Sequence, residues 1–203
     1  MKTLLLFSIC ILLCLAGCKK HNEDSGSSNN HIFKGIVVTN EDGTAMGIWG
    51  TEDGDWGNDI NWTTSEYGLL HFPDTISLDG TYISDTTGWN IGPGIHEQPR
   101  NFVSAFPNPF ADQSTLVFGN YGYLKLKVAI VDSYYHRLQS FSLKWTGHLL
   151  KLIDLSDISK YPNGVYRIFY SFSATNSPDF YKGHGDLLVC RGSTWQECKN
   201  LVP

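Results

Sequence analysis

Strand-length runs of β-branched, aromatic and aliphatic residues recur about every ten residues through the second half of this 203-residue chain. The runs are Thr115–Phe118, Tyr123–Val131, Leu138–Trp145, Leu149–Leu155, Val165–Phe172 and Tyr181–Cys190. This spacing, with turn residues between the runs, is typical of short antiparallel strands. Six or seven such strands close most simply as a β-sandwich. The sequence therefore predicts an all-β fold for this half.

Two of these runs also indicate which side chains face the core. From Leu124 to Ile130, apolar residues alternate with Lys125, Lys127 and Ala129, which is the period-two pattern of a half-buried strand. A second run places four large side chains on one face: Tyr166, Ile168, Tyr170 and Phe172. These faces are predicted to meet inside the sandwich.

The first half of the chain differs from the second in charge. Residues 32–99 carry eleven acidic residues against Lys34 alone, a net charge of −10, whereas residues 100–203 carry a net charge of +4. Short strand runs at Ile36–Thr39 and Thr81–Ser84 alternate with turn signals, and no stretch shows helical periodicity. We expect a small β-rich module that packs against the second half, because about 68 residues lie near the lower limit for an independent core.

The amino terminus has the layout of a signal peptide. Lys2 precedes an apolar run from Leu4 to Leu15, and the small residues Ala16 and Gly17 follow. As a helix, twelve residues rise about 18 Å. A bilayer core is roughly 30 Å thick. The segment is therefore predicted to direct export and not to span a membrane.

The residues Leu15-Ala16-Gly17-Cys18 resemble the lipobox of bacterial lipoproteins. The resemblance implies that Cys18 is lipid-modified and becomes the first mature residue. Lys19 occupies the position at which some bacterial lipoproteins carry an inner-membrane retention aspartate, so the implied location is the outer membrane. The resemblance does not determine whether the protein faces the periplasm or the exterior. The polar stretch that follows is predicted to be a flexible tether. The alternative is an ordinary secretory leader, with Cys18 as a free or paired thiol.

Cys190 and Cys198 remain after the leader cysteines and Cys18 are set aside. In an oxidising compartment, two thiols with seven residues between them favour a local disulfide. The rival interpretation, a metal site, lacks further ligands at zinc spacing.

The second half also contains short motifs in a specific order. They comprise Pro107, Asn108, Pro109, Phe110, Asp132, Asp154, Gly164, Val165 and Tyr166. Their order resembles the C-terminal sorting domain of type IX secretion cargo in Bacteroidota and the immunoglobulin-like domain of flagellar hook-capping proteins. The resemblance covers about Phe102–Cys190 and implies an immunoglobulin-like sandwich. It implies either a sorting signal or a purely structural module.

Together these features predict five segments. They are a lipoprotein signal peptide (1–17), a tether (18–31), an acidic Trp-containing β-rich module (32–99), an immunoglobulin-like sandwich (100–192) and a tail with a disulfide (193–203).

Candidate binding residues lie in the acidic module. Trp49, Trp56 and Trp62 neighbour carboxylates and could stack on sugar rings, or could form the core of a module short of aliphatic residues. A weak calcium candidate is the loop that carries three aspartates, Asp53, Asp55 and Asp59.

Catalytic and nucleic-acid-binding signatures are missing from the sequence. There is no nucleophile elbow, zinc-protease pair, phosphate loop or dinucleotide fingerprint. No lysine–arginine cluster suits nucleic acid. We therefore predict a non-enzymatic outer-membrane lipoprotein without a cofactor, with a structural or interaction role at the cell surface. The alternatives are type IX cargo, whose partner is the secretion machinery, and a surface glycan-binding lipoprotein.

Overall fold

A computed structural model describes residues 33–51, 54–73, 81–83, 102–119, 123–146, 148–174, 177–192 and 194–203. Its strands are β1 (Gly35–Thr39), β2 (Ala45–Gly50), β3 (Thr81–Ile83), β4 (Phe102–Phe106), β5 (Gln113–Gly119), β6 (Tyr123–Val131), β7 (Arg137–Thr146), β8 (His148–Asp154), β9 (Gly164–Ala174) and β10 (Ser177–Val189). Two short helices are α1 (Thr64–Leu69) and α2 (Trp195–Lys199).

The strands form two four-stranded antiparallel sheets and one hairpin. One sheet has the order β10-β9-β6-β7, the other has the order β3-β8-β5-β4, and β1 pairs with β2. The chain passes between the sheets from β5 to β6, from β7 to β8 and again from β8 to β9, as in an immunoglobulin-like sandwich. The predicted all-β fold, with a sandwich in the C-terminal half, is confirmed.

The inner faces of the two sheets form the main core. Tyr166, Ile168, Tyr170 and Phe172 of β9 all face it, as the alternation predicts. In the register of β6 with β9, Val128 lies opposite Tyr170. The other sheet contributes, among others, Leu116, Phe118 and Ile153, each no more than 1% exposed.

The outer face of the sheet β10-β9-β6-β7 is also covered. Phe33, Ile36 and Val38 pack against Val165 and Leu188 near one end of this face. A second cluster joins Trp62 and Leu70 to Ala129, Val131 and Phe169. The buried apolar side chains that the structure describes within 32–99 thus pack on the sandwich, as expected for so short a module. Residues 84–101 lie outside the described part of the chain, so the predicted boundary near residue 100 stays a prediction.

The segment 54–59 continues this cover along the edge of β10. The backbone N–H of Trp56 donates to the carbonyl of His184, and that of Asp59 donates to Lys182, each over 2.7 Å. Glycines allow the close approach, since a Cβ on Gly185 would lie 2.3 Å from the Trp56 ring. The edge that would otherwise be open to another chain is occupied by this segment.

Helix α1 departs from the expectation that residues 32–99 contain no helical stretch, and α2 lies in the tail. Each begins with a capping box, Thr63 with Glu66 in α1 and Thr194 with Glu197 in α2, in which side chain and backbone satisfy each other's hydrogen bonds. At six and five residues the helices are too short to show an apolar period.

Candidate functional site

The Cys18 lipidation site, the leader and the tether lie outside the described residues. Within the part of the chain that the structure describes, no helix is long and apolar enough to cross a membrane. Lipidation of Cys18 therefore stays a prediction.

Asn108 is the most deeply embedded residue of the Pro107–Phe110 motif. It is 0% exposed, and its side-chain amide donates to the carbonyls of Val37 and Asp186 while its Oδ1 accepts from the N–H of Leu188. It thereby joins β1 to β10. The two prolines flank it, directly after β4.

Phe110 and Asp132 also have structural contacts. The N–H of Phe110 donates to Leu188, and its carbonyl accepts from Cys190. The Asp132 carboxylate accepts from the N–H groups of Tyr134 and His136 in the turn after β6. Partial burial raises the pKa of Asp132, but the hydrogen bonds together lower it by more, so the pKa lies below its ordinary value.

The remaining motif residues shape the entry to β9. The hydroxyl of Tyr166 donates to the carbonyl of Pro162 over 2.7 Å, the tyrosine corner of immunoglobulin-like sandwiches. The side chain and the backbone N–H of Ser156 both donate to the Asp154 carboxylate, which lowers the pKa of Asp154. Gly164 begins β9, and Val165 packs against the cluster under β1. Each of these contacts supports the sandwich itself.

The predicted disulfide is present. Cys190 and Cys198 are bonded, with their Cα atoms 5.5 Å apart. Arg191 secures the same region, since its guanidinium donates to the carbonyls of Tyr161 and Leu155 and pairs with Asp112 at 3.0 Å. The tail is therefore tied to the sandwich at two points.

The three candidate tryptophans belong to three different clusters. The ring of Trp49 packs edge-on against that of Trp195, with the ring centres 5.3 Å apart. Trp56 lies against the inner core. Trp62 is 7% exposed, and its ring packs edge-on against Phe169 with the ring centres 5.4 Å apart. They do not form one continuous aromatic surface. Trp195, which no sequence motif marks, is the most exposed tryptophan among the described residues.

The calcium candidate is only partly described. Asp53 lies outside the described residues, while Asp55 and Asp59 flank His184, each with a carboxylate oxygen 3.9 Å from a ring nitrogen. In the described ranges, no group of three or more His, Cys, Asp or Glu side chains is placed to hold a metal ion. The backbone N–H of Asp59, and not its carboxylate, bonds segment 54–59 to β10.

A cleft lies between α1 and the outer face of the sheet β10-β9-β6-β7; we call it the outer-face cleft. Its volume is about 230 Å³. The N-terminal half contributes Trp62, Tyr67, Leu70 and His71. The sheet contributes Lys125, Lys127, Ser171, Ser173, Pro178 and Asp179.

Lysines connect the two walls of the outer-face cleft. The Nζ of Lys127 donates to the carbonyls of Leu70 and Phe72, at 3.2 and 2.9 Å. The Nζ of Lys182 lies 6.0 Å from the ring centre of Trp62 and 5.0 Å from that of Tyr67. Sequence reasoning gives Lys125 and Lys127 only as the polar side of a strand, because nothing local indicates that α1 packs beside them.

No protein-family model matches the sequence, and no curated protein matches it. Among solved structures, the chain is similar to part of a glycosyl hydrolase family 2 member from Bacteroides cellulosilyticus. The likeness covers 44% of this chain at 16% identity, with a TM-score of 0.25. It spans only 14% of that hydrolase, so nothing about activity follows from it.

Proposed function

We propose that the protein is a non-enzymatic lipoprotein of the outer membrane, anchored through Cys18, whose folded part has a structural or interaction role at the cell surface. The observation that carries the proposal is the Leu15–Cys18 lipobox directly after an apolar leader. A polar tether follows, and residues 31–203 then form one compact unit. Two or three acyl chains would hold such a unit at a membrane, at about 0.8 kcal/mol per buried methylene.

The interior chemistry supports a non-enzymatic role. The fully buried Asn108 amide joins backbone groups of two strands. The buried Arg167 and Asp186 side chains form a bidentate ion pair, with both nitrogen–oxygen distances at 2.7 Å. Ser171 donates to Asp179. These polar groups are engaged in holding strands together, which is the use expected of a scaffold.

The anchor is tested on the full chain with a clickable palmitate analogue and mass spectrometry of the mature amino terminus. We expect label and an acylated Cys18 in the wild type, and no label in Cys18→Ser. Cys10→Ser is the matched control, because it makes the same change within the leader and should leave labelling intact. An unmodified Cys18, or equal labelling of both variants, would refute the anchor. Membrane fractionation of the wild type then tests the outer-membrane location.

Type IX cargo is the second candidate function, favoured by the order of motifs from Pro107 to Tyr166 in one sandwich. Deleting the sandwich would not test it, because the N-terminal half packs on its outer face. Surface exposure of the full chain should instead be compared by protease shaving in cells with and without the type IX translocon. Exposure that depends on the translocon would support the cargo role, and unchanged exposure would discard it.

A further inference from the structure

Two cavities meet at Trp195, where hairpin β1–β2 borders the segment 107–113. Their volumes are about 770 and 260 Å³, and both are lined by Trp195 and by Pro109–Ala111. The larger cavity extends to Thr39–Glu41, and the smaller one reaches the Cys190–Cys198 disulfide. We call the two together the Trp195 groove. The larger cavity lies within the roughly 300–1,000 Å³ of sites for drug-sized molecules, so a ligand longer than one ring fits.

Trp195 gives the groove an exposed aromatic surface that is held in place. Its side chain is 61% exposed, and its ring packs edge-on against Trp49. Trp195 is also the first residue of α2, which begins with the Thr194 capping box and is bonded through Cys198 to Cys190. A ring that is ordered before binding loses little conformational freedom when a ligand stacks on it. The exposed ring can therefore bind the apolar face of a ligand at low cost.

The backbone of the groove walls has little hydrogen-bonding capacity left for a ligand. Pro107 and Pro109 have no N–H. The N–H and the carbonyl of Phe110 bond to β10 and to the residue after it, and those of Thr39 both bond to Asn108. An extended peptide binds a sheet edge mainly through backbone hydrogen bonds. The walls therefore disfavour a peptide, and polar recognition depends on side chains.

These side chains offer more acceptors than donors. Within the described part of the structure, the Glu41 carboxylate has no hydrogen bond or ion pair. Asp112 accepts from Arg191 through Oδ1, and its side chain is 56% exposed, which leaves the second oxygen for a ligand. Asn40 uses its Oδ1 within its own turn, so its amide N–H groups stay available. A ligand with several hydroxyl groups can donate to the carboxylates and accept from the amide.

Charge gives the groove little preference for a cation. Arg191 already pairs with Asp112 at 3.0 Å, so Glu41 is the one carboxylate of the described lining without a cationic partner. A single exposed ion pair contributes little to affinity. No lysine or arginine among the described residues lines the groove, so an anion has no partner there either.

We propose that the Trp195 groove binds a neutral oligosaccharide. One sugar ring stacks its C–H face on Trp195, and hydroxyl groups of this ring or the next one donate to Glu41 and Asp112 and accept from Asn40. This inference rests on the interaction role proposed above and specifies its ligand. The stacking surface belongs to the tail after the sandwich, and not to the tryptophans of the acidic module.

The proposal is tested on the full-length mature protein in micelles of an uncharged polyoxyethylene alkyl ether, which contain no sugar. Cellotriose, maltotriose, xylotriose, mannotriose and galactotriose are titrated by calorimetry and by the indole N–H resonances. We expect a Kd on the order of 1 mM for at least one of them. The resonance that disappears in Trp195→Phe should shift on binding. Sodium chloride at about 0.5 M should change this Kd less than about twofold, because the ligand is uncharged.

Matched variants locate the site. Trp195→Ala should weaken binding at least about tenfold, since tryptophans in binding surfaces often carry much of the affinity, and Trp195→Phe should keep part of it. Glu41→Gln should weaken binding about fivefold, as expected for the loss of one good hydrogen bond. Tyr134→Ala truncates a 78% exposed aromatic side chain outside the groove and should bind as the wild type does. Backbone amide spectra check that each variant keeps its fold.

Four results would overturn the proposal. They are no binding of any of these sugars at roughly 20 mM, unchanged affinity in Trp195→Ala, equal weakening in Tyr134→Ala, and tighter binding of trilysine or hexaproline than of every sugar. Failure here with an acylated Cys18 would remove the ligand but leave the lipoprotein. Sugar binding by a chain without acylation would do the reverse.

Discussion

The inner and outer faces of the sheet β10-β9-β6-β7 are both buried, but by different means. The inner face meets the opposite sheet through large apolar side chains such as Leu126, Ile168 and Phe172, all 0% exposed. The outer face is covered by hairpin β1–β2 and by segment 54–73, with two apolar clusters and a buried Arg167–Asp186 ion pair among the contacts. The same sheet therefore has an inner face with apolar contacts and an outer face with both apolar and charged contacts.

The difference shows where this protein has room for a ligand. A close-packed apolar core holds few voids. A face covered by a separate segment, with paired polar groups beneath it, leaves clefts at the rim of the cover. The outer-face cleft lies at such a rim, next to α1. The comparison also indicates that the N-terminal half and the sandwich should unfold as one unit.

Phe169 and Phe172 test this comparison most directly, because both belong to β9, both are 0% exposed and they lie on opposite faces. We expect Phe169→Ala and Phe172→Ala each to lower the free energy of unfolding by about 3–5 kcal/mol, the usual cost of a buried Phe→Ala change. Guanidinium unfolding followed by circular dichroism measures both. A cost below about 1 kcal/mol for Phe169→Ala alone would show that the cover is only loosely attached.

The ion pair tests the polar part of the outer face. Asp186→Ala should lower stability by about 3–5 kcal/mol, because it leaves the Arg167 charge buried without its carboxylate. The double variant Arg167→Met with Asp186→Leu should recover much of that loss, since apolar residues of similar size often replace a buried pair at little cost. Denaturant unfolding of Arg167→Met, Asp186→Leu and the double variant measures the coupling. Additive losses would contradict a buried pair.

Much of the inner face could be predicted from the sequence, and little of the outer face could. The alternation in β6 and β9 depends on neighbouring residues, so it correctly indicates the core side of each strand. Burial of Phe169 depends on Trp62, more than one hundred positions earlier, and no local pattern reports such a contact. One available signal is that Val165 and Phe169 are apolar on the nominally outer side, as in strands buried on both faces.

The candidate site divides in the same way. Cys190 and Cys198 could be paired from the sequence, because they are the two cysteines left once the leader cysteines and Cys18 are set aside. The outer-face cleft could not be predicted, because its walls come from segments far apart in sequence. The capping box at Thr63 marks the start of α1 in the sequence, and it is the local signal that could have placed a helix there.

Tyr166 gives a smaller effect, on the sandwich side of the comparison. Tyr166→Phe removes the hydrogen bond to Pro162 and should cost about 1 kcal/mol near neutral pH. Burial raises the pKa of Tyr166 to about 12. The unfolded chain, with an ordinary value near 10, releases its proton first, so the wild type loses stability as pH rises from 10 to 12.

The variant should therefore lose less stability over that interval. Part of the decline should persist, because burial also raises the pKa of Tyr170. Tyr134→Phe is the matched control, since Tyr134 is 78% exposed. Urea unfolding at pH 8, 10 and 11 measures the effect, and an identical decline in Tyr166→Phe and the wild type would contradict it.

The two capping boxes give effects of about 1 kcal/mol or less, and they test how the cover is attached. Thr63→Ala should cost about 1 kcal/mol, the usual loss for an N-cap threonine. The buried Trp62 and Leu70 flank α1, so we expect loss of the helix to disturb the outer-face contacts. Thr194→Ala should cost about half as much in global stability, because α2 buries only Cys198 and can open locally while the sandwich stays folded.

Amide hydrogen exchange separates these two behaviours. In Thr194→Ala, faster exchange should be confined to α2 and the residues just after it, since the disulfide keeps the opened segment close to the sandwich. In Thr63→Ala, it should extend to the amides of segment 54–59, such as those of Trp56 and Asp59 that bond to β10. If exchange in that variant rose only within α1, the helix would be a local addition, and the cover of the outer face would consist of independently attached pieces.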